Sequence, residues 1–528
     1  MRFFAFKSDL DYPVVIPKTD GGLVLDSSTS VRQQKTHFFE CVHSLGDLIF
    51  LDKRLSHSEL AAILQQPDAI FAQFHRTEDS PSWDTVPKRT LAHSLGDLLL
   101  PDLLYRHVTM HRANTVYLVT TAHQKARVEK HLGAAAPSMA VFTPNINENL
   151  FYPPSHKAKR AARAALGLSE QDIHIVYAGR WLATKGICQV LLALRLWPMA
   201  NTKITVVGSF DRAFPIRIAS ASHYNFPEFF QREFITISKE KKVRMCPALA
   251  GESLRNMLWS ADLFVYPSVH EDENFGMAPR EAVLCGVPVV VSDFCGLHPL
   301  MTLMPWGGVA TYPTINGPRY SVWQLRRKIT EAIRASDWNP DACAAAVRRE
   351  CNPDVSRSNL EEAAKSLLNE PLVTTLALRE TEKKGRNELF RYANGSLVRA
   401  FIEKQDEVPD GALVDGTGAC DPSFPAQQLQ QAIHGFYTTI DKAPVVEVGS
   451  RLRGFFRMGM WQEERAIVEF GFPGPRMKRY DRRSWGSLVS CITTGWKTGM
   501  MMMTPRNRAQ VTIAQELVDL GYLVPDEI

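Results

Sequence analysis

Short apolar runs alternate with amphipathic segments over most of the chain. Runs such as "DAIFAQFH" and "TVYLVTTA" are rich in aromatic and β-branched residues, a pattern that predicts strands. The segment "KGICQVLLALRLW" instead places Ile187, Val190 and Leu194 on one face of a helix. Because strands and helices alternate, the pattern predicts an α/β fold in which helices cover both faces of a parallel sheet.

One segment interrupts this alternation and divides the chain. In "ENLFYPPSHKAKRAARAALG" a Pro-Pro turn is joined to a basic helix that ends at Gly167, which predicts a linker at 152–158. Two α/β domains are therefore predicted, over 1–152 and 158–370. Residues 371–528 lack the alternation, and we expect them to form an accessory α+β domain that binds an acceptor or a partner. A chain of 528 residues is long enough for three such domains.

Composition and charge leave the partner open but restrict the compartment. Apolar residues make up 45%, charged residues 22%, and the net charge is +5, an ordinary balance for a globular protein. The nine cysteines include no Cys-x-x-Cys pair, so neither a zinc site nor a disulfide framework is indicated. No signal peptide or stretch of 18 apolar residues is present. We therefore expect a cytoplasmic protein without a transmembrane segment, and attachment to a membrane surface stays open.

Two loops carry glycines at the end of a predicted strand, and the first of them also carries two cations beside a helix. "AGRWLATKG" carries Gly179, Arg180 and Lys185, and "TKITVVG" ends at Gly208. Open parallel sheets bind ligands at the carboxyl ends of their strands, where helix N-termini also point. Two cations beside a helix N-terminus suit a diphosphate.

In the stretch "YPSVHEDENFGMAPREAVLCG", Glu273 and Glu281 are separated by seven residues. Glu281 is expected on the first turn of a helix, and its carboxylate suits the two hydroxyls of a ribose. Glu273 is expected to bind the hydroxyls of a sugar. The backbone of Asn274, Phe275 and Gly276 could approach the same ligand, since Gly276 has no side chain. Cations for a diphosphate and carboxylates for two polyols together indicate a nucleotide-diphospho-sugar.

These segments also resemble a known family. "YAGRWLATKGICQVLLALRL", "TKITVVG", "ADLFVYPSVHEDENFGMAPREAVLCGVPVVVSD" and "GLHPL" are similar to the donor half of retaining GT-B glycosyltransferases of the family-4-like group, and "VFTPNINENLFYPP" resembles the hinge. The resemblance implies two Rossmann-like domains facing across a cleft. The acceptor would bind on the side of 1–152 and the nucleotide-sugar on the side of 158–370. It also implies hexosyl transfer with retained anomeric configuration and no metal or other cofactor.

The resemblance also implies roles for individual residues. Arg180 and Lys185 would hold the donor diphosphate, Glu281 the ribose and Glu273 the sugar. Retention permits a double displacement through a protein nucleophile, or a same-face reaction in which cations stabilise the departing diphosphate. The resemblance implies the same-face reaction, which is the mechanism usually assigned to this family. From its position after the strand "DAIFAQF", His75 is added to the candidate catalytic residues as a group facing the acceptor.

The C-terminal region leaves the acceptor open. Between 441 and 510 there are 13 Lys and Arg against 6 Asp and Glu, a net charge of +7, with aromatic residues interleaved. This mixture suits an anionic acceptor such as nucleic acid or a lipid-linked phosphate, or else a membrane surface. One alternative is therefore a glycosyltransferase acting on DNA or another polyanion. The other is an inactive GT-B-like protein that binds a nucleotide or a partner.

Overall fold

The computed structural model of the chain divides into two compact units. The first comprises Met1–Phe151, Glu271–Met277 and Ala345–Asn394, and the second comprises Tyr152–His270, Ala278–Ala344 and Gly395–Ile528. The structure describes residues 1–6, 15–17, 23–25, 30–51, 55–74, 86–93, 114–132, 136–181, 183–195, 201–208, 243–270, 273–314, 318–372, 443–454, 457–461, 465–470, 475–494 and 501–526. The boundaries of the three predicted domains stay predictions.

A six-stranded parallel sheet forms the centre of the first unit. Its strands are β1 (Arg2–Phe6), β4 (Asp47–Leu51), β5 (Ala69–Phe74), β6 (Thr90–His93), β7 (Thr115–Val119) and β8 (Ser138–Val141). Their spatial order is β4-β1-β5-β6-β7-β8, and every neighbouring pair is parallel. A separate antiparallel pair is formed by β2 (Val15–Pro17) and β3 (Leu23–Leu25). The parallel sheet agrees with the α/β prediction.

Helices of the first unit bury their apolar faces on this sheet. They are α1 (Ser30–Leu45), α2 (His57–Leu64), α3 (Ala122–Leu132) and α11 (Pro353–Asn369). Phe38 of α1, Val116 of β7 and Leu360 of α11 belong to one buried cluster. The sequence "SVRQQKTHFFECVHSL" predicts a helix, and α1 covers all of these residues. The sequence "SHSELAAILQQP" predicts a helix capped by Ser56 or Ser58, and in the structure Ser56 caps α2 and forms a capping box with Glu59.

The second unit contains another six-stranded parallel sheet. Its strands are β9 (Ile173–Ala178), β10 (Thr202–Val207), β11 (Val243–Cys246), β12 (Leu263–Tyr266), β13 (Val289–Asp293) and β14 (Val309–Ala310). Their spatial order is β11-β10-β9-β12-β13-β14, with parallel pairing throughout. Counted from β9, this is the order 3-2-1-4-5-6 of the Rossmann fold. Every residue of β12 and β13 is buried, as a sheet covered on both faces requires.

The helices that accompany this sheet follow the predicted periodicity. They are α4 (His156–Ala165), α5 (Ile187–Arg195), α6 (Gly251–Ser260), α7 (Met277–Leu284), α8 (His298–Met301), α9 (Val322–Arg334) and α10 (Pro340–Glu350). The predicted linker at 152–158 is shorter in the structure, because Ser155 accepts a hydrogen bond from the Ala158 amide and so starts α4. In the described part of the chain, no helix combines the length and the apolar character needed to cross a bilayer.

The described residues after 442 form antiparallel sheets with helices. The strands are β15 (Leu452–Gly454), β16 (Arg457–Trp461), β17 (Ala466–Phe470), β18 (Pro475–Arg479), β19 (Ile492–Thr494), β20 (Met501–Met503) and β21 (Leu523–Pro525), and the helices are α12 (Arg482–Val489) and α13 (Arg508–Asp519). The sheets have the orders β19-β20-β15-β21 and β16-β17-β18. This is the α+β character predicted for the region. The sequence "RAQVTIAQELVDLGYLV" predicts a helix over its whole length, but α13 ends at Asp519, because Gly521 has φ +79° and turns the chain into β21.

Candidate functional site

The strand order of the second sheet reverses between its two central strands. β9 and β12 are neighbours, and the chain continues to opposite sides of the sheet from them. In open α/β sheets the ligand binds outside the carboxyl ends of the strands at this switch point. Two segments of the second unit leave that edge, 179–186 after β9 and 267–270 after β12. Both predicted cations, Arg180 and Lys185, therefore lie at the switch point of a Rossmann-like sheet.

A buried tyrosine fixes the loop that carries the two cations. Tyr177, the penultimate residue of β9, is fully buried. Its hydroxyl lies 3.1 Å from the Arg180 carbonyl oxygen and 3.3 Å from the Lys185 carbonyl oxygen, and donates to them. Lys185 is only 5% exposed, whereas Arg180 is half-buried. The buried Tyr177 hydroxyl thus fixes the loop backbone at both Arg180 and Lys185.

The predicted glycines of this edge are required by close packing. Gly208 has φ +151°, and a Cβ there would collide with the Gly179 carbonyl oxygen and lie 2.8 Å from Trp181 Nε1. A Cβ on Gly179 would lie 2.8 Å from the Tyr266 ring. Any side chain at Gly208 would therefore push the turn after β10 away from the cation loop. These contacts explain both glycines without a ligand, and their predicted donor contacts stay predictions.

The segment after β12 is tied to the cation loop. The Val269 amide donates to the Thr184 carbonyl at 2.8 Å, and the Thr184 hydroxyl lies 3.2 Å from His270 Nδ1. Sequence reasoning missed His270 as a site residue. Its signal was its place just past the carboxyl end of a buried strand, three residues before Glu273. His270 is therefore a further polar group at the switch point.

Glu281 is a buried carboxylate within α7. Its residue is 6% exposed, and among the described residues the carboxylate forms no hydrogen bond or ion pair. Burial raises its pKa to about 7. The expectation that Glu281 lies on the first turn is wrong, because α7 begins at Met277 and Glu281 is therefore on its second turn. The helix can begin before Pro279 because a proline is tolerated in the first turn. A buried carboxylate without a protein partner is an acceptor suited to ligand hydroxyls.

Arg280, the neighbour of Glu281, is fully buried as well. Its Nη1 donates to the Gly296 carbonyl at 3.2 Å, within the turn Cys295–Leu297 that follows β13. Sequence reasoning did not single out Arg280. The bond fixes α7, and with it Glu281, to the carboxyl end of the adjacent strand.

The other predicted donor residues belong to the first unit. Glu273 and Asn274 are each 5% exposed, Phe275 is fully buried and Gly276 has φ +79°. The Thr120 hydroxyl, at the carboxyl end of β7, donates to the Asn274 carbonyl oxygen. This contact joins residues 154 positions apart in the chain. The segment that carries Glu273 is thus fixed by the sheet of the first unit.

Sequence reasoning missed Thr120 and its partner Gln124. Gln124 Oε1 accepts from the Thr120 amide at 3.0 Å and lies 3.2 Å from the Thr120 hydroxyl. The available signal was a pair of polar residues, "TT", that ends a buried strand. Both side chains are buried, so their hydrogen bonds define the position of the Asn274 backbone.

Thr120→Val is expected to lower the free energy of unfolding by about 1 to 3 kcal/mol, because it leaves a buried carbonyl without its donor. Valine keeps the shape of threonine, so packing changes little. Chemical denaturation monitored by circular dichroism measures the difference. The matched control is Thr330→Val on α9, where the hydroxyl bonds only to a carbonyl of its own helix. Equal effects of the two changes would show that the Asn274 contact contributes nothing.

Some candidate residues lie outside the described residues, and some aromatic residues of the C-terminal region are buried. His75 lies outside them, so its role stays a prediction, and the aromatic-rich residues 210–240 lie outside them as well. In the C-terminal region Tyr480 and Trp485 are buried, so they offer no stacking surface to a nucleic acid. Where the structure describes side chains in this region, the exposed arginines are Arg451, Arg465, Arg479, Arg482, Arg483, Arg506 and Arg508.

Comparison with known families identifies a match within the second predicted α/β domain, 158–370. Residues 158–302, about a quarter of the chain, match the family model "Glycosyl transferases group 1". An uncharacterised glycosyltransferase of Methanocaldococcus jannaschii is 27% identical over 177 residues, 33% of this chain and 39% of that protein. The D-inositol 3-phosphate glycosyltransferase of Paenarthrobacter aurescens is 26% identical over 184 residues, 34% and 41% of the two chains. The matches thus cover about two fifths of these relatives.

Solved structures also align with this chain, at low sequence identity. A glycosyltransferase from Rickettsia africae aligns with 70% of this chain and 99% of its own, at 13% identity and a TM-score of 0.48. The Anabaena protein HepE in complex with UDP aligns with 69% and 99%, at 16% identity and a TM-score of 0.48. The family match and the two Rossmann-like sheets support a group 1 glycosyltransferase of the GT-B fold class.

Proposed function

We propose that this chain is a retaining, family-4-like glycosyltransferase that moves a hexosyl group from a nucleotide-diphospho-sugar to an acceptor hydroxyl. The observation that carries the proposal is Glu281, a buried carboxylate without a protein partner among the described residues. It shares the second unit with Arg180 and Lys185 at the switch point. A protein gains nothing in stability from such a group, since burying a charge without a partner is unfavourable. A ribose supplies the two hydroxyl donors that the carboxylate lacks.

The two cations supply the electrostatic part of the reaction. Arg180 and Lys185 bind the diphosphate and stabilise the negative charge that grows on it as the bond to the anomeric carbon breaks. Glu273 binds hydroxyls of the sugar and holds it for attack. On the same face, the bond from the acceptor oxygen to the anomeric carbon forms as the bond to the phosphate oxygen breaks. The departing phosphate takes the acceptor's proton, so configuration is retained without a protein nucleophile.

Neither a metal nor an organic cofactor is part of this proposal. Two cations at one loop can neutralise a diphosphate, the task a divalent ion performs in other transferases. The absence of a metal and of a cofactor stays a prediction. A nucleotide-sugar substrate fits the predicted cytoplasmic location, and so do scattered cysteines without a disulfide framework.

The acceptor is proposed only as a hydroxyl compound. Some relatives are named for D-inositol 3-phosphate, a phosphorylated polyol, but the match covers a minority of those proteins. A polyanionic acceptor held by exposed arginines stays an alternative. Tyr480 and Trp485 do not support it, because they are buried and cannot stack on a base. Salt-sensitive binding of a polyanion by the full chain, lost on replacing Arg482 and Arg483, would favour it.

A thermal-shift panel of nucleoside diphosphates and nucleotide-sugars tests the proposed function. One donor is expected to raise the melting temperature of the wild type. A ligand at about 100 times its dissociation constant adds roughly 2.7 kcal/mol to the unfolding free energy. Glu281→Ala is the control and should show no shift with the same donor. Slow hydrolysis of that donor by the wild type would exclude the inactive rival, and a panel without any shift would contradict the proposal.

A further inference from the structure

The last described segment, Gly521–Asp526, is bonded to the loop that precedes α9. The Arg319 Nε donates to the Gly521 carbonyl at 2.9 Å. The Tyr312 hydroxyl lies 3.5 Å from the Leu523 carbonyl oxygen. Arg319 is 5% exposed and Tyr312 is fully buried, so these contacts are shielded from water. All of them lie within the second unit. The C-terminal segment is therefore packed as an integral part of that unit.

The residue that follows Arg319 packs against the loop that carries Arg180 and Lys185. Tyr312 and Arg319 are paired by two backbone hydrogen bonds of 3.0 and 2.9 Å, which fixes the ends of the loop. The next residue, Tyr320, is fully buried. Its hydroxyl would lie 2.9 Å from a Cβ on Gly186, the residue directly after Lys185. Tyr320 thus occupies the space against which the cation loop turns into α5.

Tyr320 also feels the electrostatic effect of Tyr177, the tyrosine that orders the cation loop. Burial raises the pKa of Tyr320 well above its usual value, and the nearby Tyr177 raises it further. Tyr177 is the residue whose hydroxyl donates to the carbonyls of Arg180 and Lys185. A displacement of Tyr320 would therefore reach the cation loop through Gly186.

We propose that the C-terminal segment Gly521–Asp526 holds the diphosphate-binding loop in place through Arg319 and Tyr320, which act as positioning residues. This rests on the proposed function, since it assigns the Arg180–Lys185 loop to the diphosphate. It gives the accessory region a role in donor binding that its sequence does not suggest. Donor affinity, and not only stability, then depends on residues more than 300 positions after the site.

Gly521 offers a sharp test, because its substitution displaces this contact. It has φ +79°, and a Cβ there would collide with the Thr314 side chain and lie 3.1 Å from Arg319 Nε. Gly449, in the same C-terminal region, has φ +89° and nothing within 4 Å of an added Cβ. Gly521→Ala and Gly449→Ala therefore share the backbone strain of a left-handed alanine, but only the first pushes against the Arg319 loop.

Dissociation constants of the full-length variants for ADP, GDP, UDP and the corresponding monophosphates provide the measurement. The ratio of monophosphate to diphosphate dissociation constants reports the contact with the second phosphate. Gly521→Ala is expected to lower this ratio about tenfold, as for a small misplacement of binding groups, and Gly449→Ala to leave it unchanged. A merely structural role would weaken both nucleotides equally and keep the ratio at its wild-type value, which would overturn the inference.

Arg319→Lys is the second variant, for use if Gly521→Ala does not fold. It keeps the positive charge but removes the Nε donor to Gly521, and the ratio is expected to fall about threefold, the effect of a weakened hydrogen bond. An unchanged ratio of dissociation constants with lowered thermal stability would overturn this inference but leave the proposed function in place. A wild type that binds none of the six nucleotides overturns the proposed function together with it. The two failures are therefore distinguishable.

Discussion

Replacing Glu281 by glutamine is expected to make the unliganded protein more stable at pH 8 and to weaken donor binding at least tenfold. Burial raises the pKa of this carboxyl from 4.5 to about 7. A carboxyl with a raised pKa contributes stability that is fully present below pH 4.5 and is lost as the pH rises through 7. At pH 8 the folded protein therefore carries an ionised buried group, and its effect on the unfolding free energy is about 3 kcal/mol at most.

Glutamine stays neutral at every pH and has nearly the same shape, so the variant avoids this loss. Urea unfolding at pH 5 and pH 8 measures the difference. Glu281→Gln should be close to the wild type at pH 5 and more stable at pH 8. Glu331→Gln is the control, because Glu331 is 41% exposed and pairs with Lys328 at the surface. A stability difference for Glu281→Gln that is the same at both pH values would contradict burial as the cause.

The same substitution is expected to weaken donor binding, although it stabilises the unliganded protein. A ribose donates two hydroxyl hydrogens, and an ionised carboxylate accepts both more strongly than an amide does. Hydrogen bonds to a charged group contribute about 1.5 to 3 kcal/mol, which corresponds to at least a tenfold loss of affinity when the charge is removed. The wild type should also bind its donor more weakly as the pH falls below 7. A variant that is more stable but binds less well is the expected signature of a group kept for its ligand.

Local features of the fold were predictable because they depend on neighbours in the chain. The helix over Ser30–Leu45 and the cap at Ser56 follow from periodicity and side-chain type alone. Strands β9, β12 and β13 are apolar runs between turn residues, and their burial follows from parallel pairing. The cations at Arg180 and Lys185 could be placed at a strand end for the same reason.

Features that depend on distant residues were not predictable. The bond from Thr120 to Asn274 joins residues 154 positions apart, and the bond from Arg319 to Gly521 joins residues 202 apart. No local pattern encodes either pairing. The raised pKa of Glu281 has the same origin, since it comes from the side chains that exclude water around it and not from its place in α7. The helix predicted at the C-terminus was too long because apolar residues continue into β21, where Gly521 reverses the chain.

Replacing Lys185 by methionine is expected to reduce the rate of sugar transfer about 100- to 1000-fold, in the range found when a group that stabilises a developing negative charge is removed. Methionine keeps an unbranched apolar stem in a position that is only 5% exposed, so packing is largely preserved. Lys203→Met is the matched control. Lys203 lies on β10 of the same sheet, away from its carboxyl edge, and pairs with Asp172 at 3.5 Å.

The transfer rate can be followed as donor hydrolysis, which needs no knowledge of the acceptor. Two measurements then separate binding from chemistry. If Lys185 acts mainly on the departing diphosphate, kcat falls by more than the donor affinity does, because the charge on the leaving oxygens is largest in the transition state. If it acts only as an anchor, affinity falls and kcat is preserved. Hydrolysis at the wild-type rate with wild-type affinity would remove Lys185 from the site, and the assignment of the loop after β9 to the diphosphate would then rest on Arg180 alone.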